Sequence, residues 1–460
     1  MIEYPPLPLT PAAIDYTWRQ LANLSGVSDG WDALGLPVHY RLPNNPTEAG
    51  LFISPCSAKD IQDLLHAAVP IGRRLTPAEL TGSQPLPFTD PLPLPLWGQG
   101  AADQPFAVCH PERRQLVIHA DVLALTFMLL TRWEESVIPA HDVHHRFPST
   151  ASIAHRQGFL HRPLLDEIGL ALQAWLKALL PGWQPVERRF HIQLSHDLDH
   201  LNPIPARNLW RETAGDFVTR RDLPMALDSL FQIITGRARW RNHLAVRELA
   251  ALSERYGLES VFYVLVSEPS LYDEGYSLED AKIRRLLRGL RAKGLVVGIH
   301  PGYETLDDTQ RLKDAVIRLE SALDEPIAEG RQHYLRFIVP DTWRHWDEAG
   351  LAYDSTLGYA DAEGFRCSTC YPYPVFDISQ DRELVLREIP LIAMDTTLRQ
   401  YRKYTPEQTR QVILDLAQRC RAVNGTFTLL WHNTSLLREW RSWAKMYRQV
   451  LPELAALQSS

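Results

Sequence analysis

The stretch HIQLSHDLDHLNP, His191 to Pro203, sets an apolar-alternating lead directly before two histidines and two aspartates packed into five positions, His196 to His200. The lead alternates as a buried strand does. A core has no use for the carboxylates that follow, because burying one without a partner is costly. The strand therefore ends at a group that needs partners, and the rest of the chain has to supply them.

Beyond this point the chain alternates strand and helix. AVRELAALSERYG predicts a helix closed by Gly257, ESVFYVLV a strand, and SLEDAKIRRLLRGLRAKG a helix capped by Ser277 and closed by Gly294. LVVGIH predicts a strand, TLDDTQRLKDAVIRLESAL a helix, HYLRF a strand and DTWRHWDEAG a short helix. LREIPLIA predicts another strand, TPEQTRQVILDLAQRCRAVNG a helix with Thr405 as N-cap and Gly425 past its end, and TFTLLWHN a last strand. Such alternation predicts an α/β fold on a parallel sheet, open or closed into a barrel. The strand ends carry His300, then Arg331, His333 and Arg336, then His432-Asn433. In a parallel sheet the C-terminal strand ends share one ligand-binding face, so these residues converge on the aspartates.

Before about residue 185 the rhythm differs. SQPLPFTDPLPLPLWGQG (Ser83 to Gly100) has proline at nearly every second or third position, which excludes helix and central strand. FAVCHPERRQLVIHADVLALTFMLLTRWEES predicts a strand, a turn at His110 to Arg113, a second strand and a helix begun near Asp121. RPLLDEIGLALQAWLKALLPGW predicts an amphipathic helix stopped by Pro181-Gly182. Two domains follow, 1–185 and 186–460, as 460 residues exceed one ordinary core.

The totals exclude several classes. Apolar content of 45% with 22% charged residues is that of a globular protein, and a net charge of −7 gives no support to nucleic acid as a partner. The longest apolar run, Val122 to Leu130, has nine residues against the roughly 20 that span a bilayer. MIEYPPLPLTP has no basic region followed by an apolar one, and five irregularly spaced cysteines do not form a disulfide framework. Cytoplasmic residence with reduced thiols is the expectation. The oligomeric state is not readable from sequence.

Aspartate with histidine suggests a divalent metal such as zinc with an open position for water. Water on such a metal becomes a nucleophile near neutral pH, and a second carboxylate can take its proton. Two aspartates one residue apart can divide those tasks, with a separate histidine protonating a leaving group.

Residues 188 to 440 resemble the polysaccharide deacetylases of the NodB-homology type (carbohydrate esterase family 4), metal-dependent hydrolases that remove N-acetyl groups from sugars on a distorted (β/α) barrel. SHDLDH stands where that family has its aspartate-rich motif, which implies Asp197 as base and Asp199 as metal ligand. VGIHPGYET matches the second motif and makes His300 a ligand, and LLWHN matches the last, making His432 the general acid. RQHYLRF followed by YDSTLGYADAEGFR resembles a sub-branch found with bacterial surface-polysaccharide genes. There, Arg331 would orient the base and Asp354 support the site, with Arg336 and Asp395 as rivals. The stretches DVLALTFMLLTRWEES and HRFPSTASIAHRQGFLHRPLLDE resemble the α+β N-terminal domain that accompanies this sub-branch.

The chain departs from the family where a second histidine is expected four residues after His300. Glu304 stands there. Glu304, His333 or His200 is then the third ligand, and the R-x-H pattern of the sub-branch favours His333. The metal would be zinc, or alternatively cobalt, nickel or manganese. Simpler roles compete: Glu304 suits a helix N-terminus, Asp354 suits a turn, and Cys367-Ser-Thr-Cys370 lacks the second pair of a zinc site. Tryptophans 343, 346, 431, 440 and 443 divide between core and sugar groove.

The expected function is hydrolysis of an N-acyl group on an amino sugar of a cell-surface polysaccharide or its cytoplasmic precursor. Two other classes stand beside it. One is a metal-dependent transferase or phosphatase built on Asp-Leu-Asp, which does not account for His300 and His432. The other is a non-catalytic glycan-binding protein on a deacetylase scaffold, which intact candidates for base, acid and two ligands argue against and the Glu304 departure keeps open.

Overall fold

Apolar runs punctuated by proline and glycine divide the chain into short strands and amphipathic helices. The computed structural model describes residues 3–82, 84–219 and 221–459. Ser83, which opens the proline-rich stretch, and the first two residues of MIEYPPLPLTP lie outside the described residues. The chain forms two compact units. Unit 1 takes Met1–His191, Tyr334–Ala393 and Asp415–Phe427, and unit 2 takes Ile192–His333, Met394–Leu414 and Thr428–Ser460. Segments beyond residue 334 thus cluster with the N-terminal part, which a single boundary at 185 does not describe.

Unit 1 begins with strands β1 (Val38–His39), β2 (Gly50–Ile53), β3 (Arg73–Leu75), β4 (Leu92–Leu94), β5 (Ala107–His110) and β6 (Gln115–Ile118). Four of them form a sheet in the order β1-β2-β6-β5, parallel except for the β5–β6 hairpin. The turn of that hairpin is Pro111–Arg113, where the sequence places it. Among the described residues, the proline-rich stretch supplies β4, paired antiparallel with β3, and an isolated bridge from Trp97 to Ala120. Asp121 caps the helix Val122–Leu130 by accepting from the Ala124 amide (2.9 Å), and all nine residues of that helix are buried. The helix Leu164–Leu179 packs one apolar face and ends before Pro181.

Unit 2 opens with β7 (His191–Leu198), β8 (Glu259–Val266), β9 (Val296–Pro301) and β10 (Glu329–Gly330), paired parallel from one to the next. Strands β11 (Tyr353–Asp354), β12 (Tyr373–Asp377) and β13 (Arg382–Glu388) belong to unit 1, with β12–β13 antiparallel and β11–β13 parallel. β14 (Ala393–Met394) and β15 (Thr426–Leu430) join the unit 2 strands in the order β10-β9-β8-β7-β15-β14. The alternation read from sequence is therefore a mixed α/β fold with a parallel sheet at its centre.

β9 and β10 run unusually close. A Cβ on Gly298 would stand 2.4 Å from the Glu329 carbonyl oxygen, and one on Gly330 would stand 2.2 Å from that of Ile299. Only glycine permits this approach, and it delivers Arg331 directly beside the end of β9.

Four local readings are corrected. The helix expected to start at Ser277 is Ala281–Arg291, capped by Asp280, which accepts from the Lys282 and Ile283 amides. HYLRF is not a strand: His333–Leu335 is a single 3₁₀ turn with Tyr334 and Leu335 at φ of 62° and 55°, and β10 lies upstream. LREIPLIA breaks at Pro390 between β13 and β14. Between β7 and β8, finally, lie two helices, Ala206–Val218 and Leu223–Ile234, in a stretch from which no element was read.

Candidate functional site

Alternation along β7 sends Ser195, Asp197 and Asp199 to one face and His196 and Leu198 to the other. Asp197 meets Arg331, whose Nη1 donates to Asp197 Oδ1 (2.9 Å) and to Ser195 Oγ (3.0 Å). The same guanidinium lies over the Tyr263 ring, 4.9 Å from its centroid. All of these side chains are buried. Removing either partner of this buried pair would leave an uncompensated charge, which is strongly destabilising.

His300, at the end of β9, approaches both aspartates: its Nε2 is 3.8 Å from Asp197 Oδ2 and 3.4 Å from Asp199 Oδ1. Its Nδ1 donates to the backbone carbonyl of Arg331 (2.6 Å). His333 Nδ1 donates to Asp273 Oδ1 (2.6 Å), and its Nε2 is 4.0 Å from Asp199 Oδ1. Asp273 is itself held by the Tyr303 amide (3.1 Å to Oδ2). One ligand atom from each of Asp199, His300 and His333 lies within 4.8 Å of the other two.

This donor set fits a divalent cation. A neutral imidazole that donates through Nδ1 presents a lone pair at Nε2. Two such lone pairs face Asp199 Oδ1, a buried oxygen without a hydrogen-bond partner. Three acceptors turned toward one point are stable only with positive charge among them, whether protons on the imidazoles or a metal ion. Burial opposes charge on Asp199, but His300, His432 and His333 outweigh it and hold the carboxyl well below its usual range. Burial opposes charge on His300 too, and Asp197 and Asp199 outweigh it and raise the imidazole. At 3.4 Å the His300–Asp199 contact is electrostatic rather than a good hydrogen bond. The directions therefore report mutual attraction across a gap of cation size.

His432 faces the same point from the end of β15, with Nε2 3.7 Å from Asp199 Oδ2. Asp395 holds it twice, accepting from Nδ1 (2.7 Å) and from its backbone amide (2.7 Å). Burial works against the imidazolium, yet Asp395, Asp199 and Asp197 push it up to about 10. His196, on the opposite face of β7, donates from Nδ1 to the Trp431 carbonyl (2.7 Å), and burial pushes it down to about 4. It is a neutral tie to the strand that carries His432.

The structure thus brings together Asp197, Asp199, His300, Arg331, His333 and His432. Glu304 does not join them: it is exposed on the short turn Tyr303–Thr305, where the chain has already left β9. His200 is half-exposed and pairs with Glu274 instead. Asp354 lies in unit 1, accepting from the Thr356 amide (3.1 Å), and Arg336 donates to the His144 carbonyl (3.1 Å), also in unit 1. The carboxylate on the unit 2 histidine is the rival, Asp395. Asp273 was missed, because SLYDEGYS in a loop carries no periodicity or motif to single it out. Trp343, Trp346 and Trp431 are core, while Trp440 and Trp443 are half-buried and flank Arg399 at 4.2 and 4.6 Å.

Comparison with known proteins adds little to this geometry. Residues 79–181 match a family of unknown function, DUF7033. No curated protein matches the chain. Among solved structures, one described as a polysaccharide deacetylase from Mycobacterium smegmatis overlaps with a TM-score of 0.39 at 16% identity, over 60% of this chain and 87% of that one. A CE4 family pseudoenzyme from Bacillus anthracis overlaps with a TM-score of 0.30 at 9% identity, over 61% of this chain and 66% of that one. A mutant of a CE4 family pseudoenzyme with restored enzymatic activity gives 0.31 at 8% identity, over 60% and 64%. This chain therefore spans just under two thirds of the latter two.

Proposed function

We propose that this chain is a metal-dependent hydrolase that removes an N-acyl group, N-acetyl in the simplest case, from an amino sugar of a surface polysaccharide or its precursor. The observation that carries the reading is the convergence of Asp199, His300 and His333 on one point flanked by Asp197 and His432. On this reading the catalytic part is a distorted (β/α) barrel of the NodB-homology type, the substrate is a cytoplasmic glycan precursor, and the N-terminal part is an accessory domain of the surface-polysaccharide sub-branch.

Asp199, His300 and His333 would hold the cation, zinc by donor type, with cobalt, nickel or manganese as substitutes. A cation there supplies Lewis acidity toward an acyl carbonyl and lowers the pKa of water. Asp197, held through Oδ1 by Arg331, offers Oδ2 as the acceptor for the proton of an attacking water. His432, kept protonated by Asp395, donates from Nε2 to the departing amine. The Arg331 carbonyl and Asp273 fix the tautomers of the two ligand histidines, so that Nε2 of each is the coordinating atom.

Metal content of the purified chain tests this. Near-stoichiometric metal in wild type and in Glu304→Ala, lost in His300→Ala and His333→Ala, is the expected result, with deacetylation of N-acetylated amino-sugar precursors following metal content. Absence of metal after reconstitution overturns the reading.

A further inference from the structure

Acidic side chains on and at the start of the two helices between β7 and β8, Ala206–Val218 and Leu223–Ile234, are tied into unit 2 by arginines. Asp216 is fully buried and accepts from Arg438 Nη2 (3.0 Å) and Ser229 Oγ (3.2 Å). Glu212 pairs with Arg241 (2.8 Å), and Asp222 with Arg441 (2.6 Å). Several large apolar side chains of the two helices face outward. On the first helix Trp210, Phe217 and Val218 are exposed, at spacings that place them on one side. On the second, Leu223, Leu227, Phe231 and Ile234 are each more than half exposed and also share a side, while only Met225 and Ala226 are buried. Scattered exposed leucines need no explanation, but a contiguous apolar face on an ion-paired base marks a surface that something covers.

Charge identifies the cover. From Pro205 to Arg241 the sequence has seven arginines and four acidic residues, within a chain of net charge −7. Arg207, Arg211, Arg221, Arg237 and Arg239 are exposed around the apolar face. Apolar side chains ringed by arginine suit the headgroup boundary of an anionic bilayer, where each side chain meets its own kind of neighbour. A second copy docked about a twofold axis would set the same arginine-rich rim against itself. No helix among the described residues is long and apolar enough to cross a membrane, so the contact lies along the surface.

We propose that the pair of helices 206–218 and 223–234 docks this protein onto anionic phospholipid surfaces. The helices follow directly from the strand that carries Asp197 and Asp199. A cavity of about 320 Å³ lined by His200, Arg241, Glu274, Thr434 and Trp440 lies at their base. If the hydrolase reading holds, on which this last step rests, the docking surface presents the site to amino sugars carried on a membrane lipid.

Co-sedimentation of the full chain with vesicles requires no turnover, so its result is independent of the hydrolase reading. Vesicles of phosphatidylcholine mixed with phosphatidylglycerol are expected to carry the protein down, and vesicles of phosphatidylcholine alone much less. Leu227→Asp/Phe231→Asp/Ile234→Asp should weaken that binding by about tenfold or more. Arg207→Ala/Arg211→Ala/Arg237→Ala should weaken it on anionic vesicles only, and this variant decides the matter if the aspartate variant does not fold. Absence of wild-type binding to anionic vesicles, or equal binding by both variants, overturns the proposal. A dimer in solution that the aspartate variant dissociates, with no vesicle binding, assigns the face to a second copy.

Discussion

Asp166 and Asp199 are both carboxylates withdrawn from water, one in each unit, and they behave in opposite ways. Asp166 accepts from Thr369 Oγ1 (2.5 Å), the Cys370 amide (2.8 Å) and Cys370 Sγ (3.2 Å). None of these donors is charged, and burial raises its carboxyl to about 7. Asp199 faces imidazoles, and its carboxyl is driven down despite burial. Burial alone therefore does not mark a reactive acid. What distinguishes the two is whether the surrounding groups are satisfied by the carboxylate or share with it the need for a cation. Asp354 differs from both: it sits beside a second buried carboxylate, Glu388, which is raised by burial and by Asp354 while Trp343 Nε1 donates to it (3.0 Å).

The sharpest way to break the comparison is to neutralise a carboxylate in each unit. Asp197→Asn should lower kcat/KM by about 10²–10⁴ on any substrate that is turned over, the usual size of a general-base contribution, with bound metal retained. Asp166→Asn should leave kcat/KM unchanged in a folded sample. An equal loss in both would mean that the unit 1 carboxylate also serves the chemistry.

A smaller effect is expected at Asp273→Asn, which leaves a side chain that still accepts a hydrogen bond but lacks charge. Metal affinity should fall by about 10–100-fold, the range for a carboxylate behind a ligand histidine, as read by competition with a chelator. Unchanged affinity would remove Asp273 from the site.

Asp166 also sets a pH dependence. Its folded pKa of about 7 lies above the ordinary aspartate value of about 3.9. Between these values the folded chain keeps a proton that the unfolded chain has lost, so stability falls as pH rises. Each unit of pH in that window subtracts up to about 1.4 kcal/mol, and the loss levels off above pH 7. Urea midpoints at pH 5 and pH 7 should differ less in Asp166→Asn than in wild type. The same slope in both chains would contradict the assignment. Smallest of all, Glu304→Ala should alter neither metal affinity nor activity beyond twofold or so, because an exposed carboxylate outside the cluster has little to lose.

Much of this was legible in the sequence where periodicity and chemistry coincide. β7, β9 and β15 read as strands because apolar runs end in histidine or aspartate, and the residues at those ends do converge. HYLRF failed because its left-handed Tyr334 and Leu335 obey no local preference. They are held there by the structure around them, and the same turn places His333. Asp395 was only a rival for Asp354, since YDST offers a tidier motif than AMDTTL, yet two hydrogen bonds to His432 are what matters. Asp273 was invisible because a loop carboxylate acquires its role only from what folds beside it. The outward apolar face of helices 206–218 and 223–234 was overlooked for a related reason. Its periodicity is that of an ordinary amphipathic helix, and only the fold tells which side faces out.

Arg331 contributes to the site through two separable parts. Its guanidinium holds Asp197, and its backbone carbonyl holds His300. Substitution at 331 deletes the first and cannot delete the second, so the base can lose its anchor while the ligand histidine keeps its orientation. On the proposed hydrolase reading, capacity to bind a cation and capacity to use it are encoded at different levels of the same residue, one in the peptide and one in the side chain.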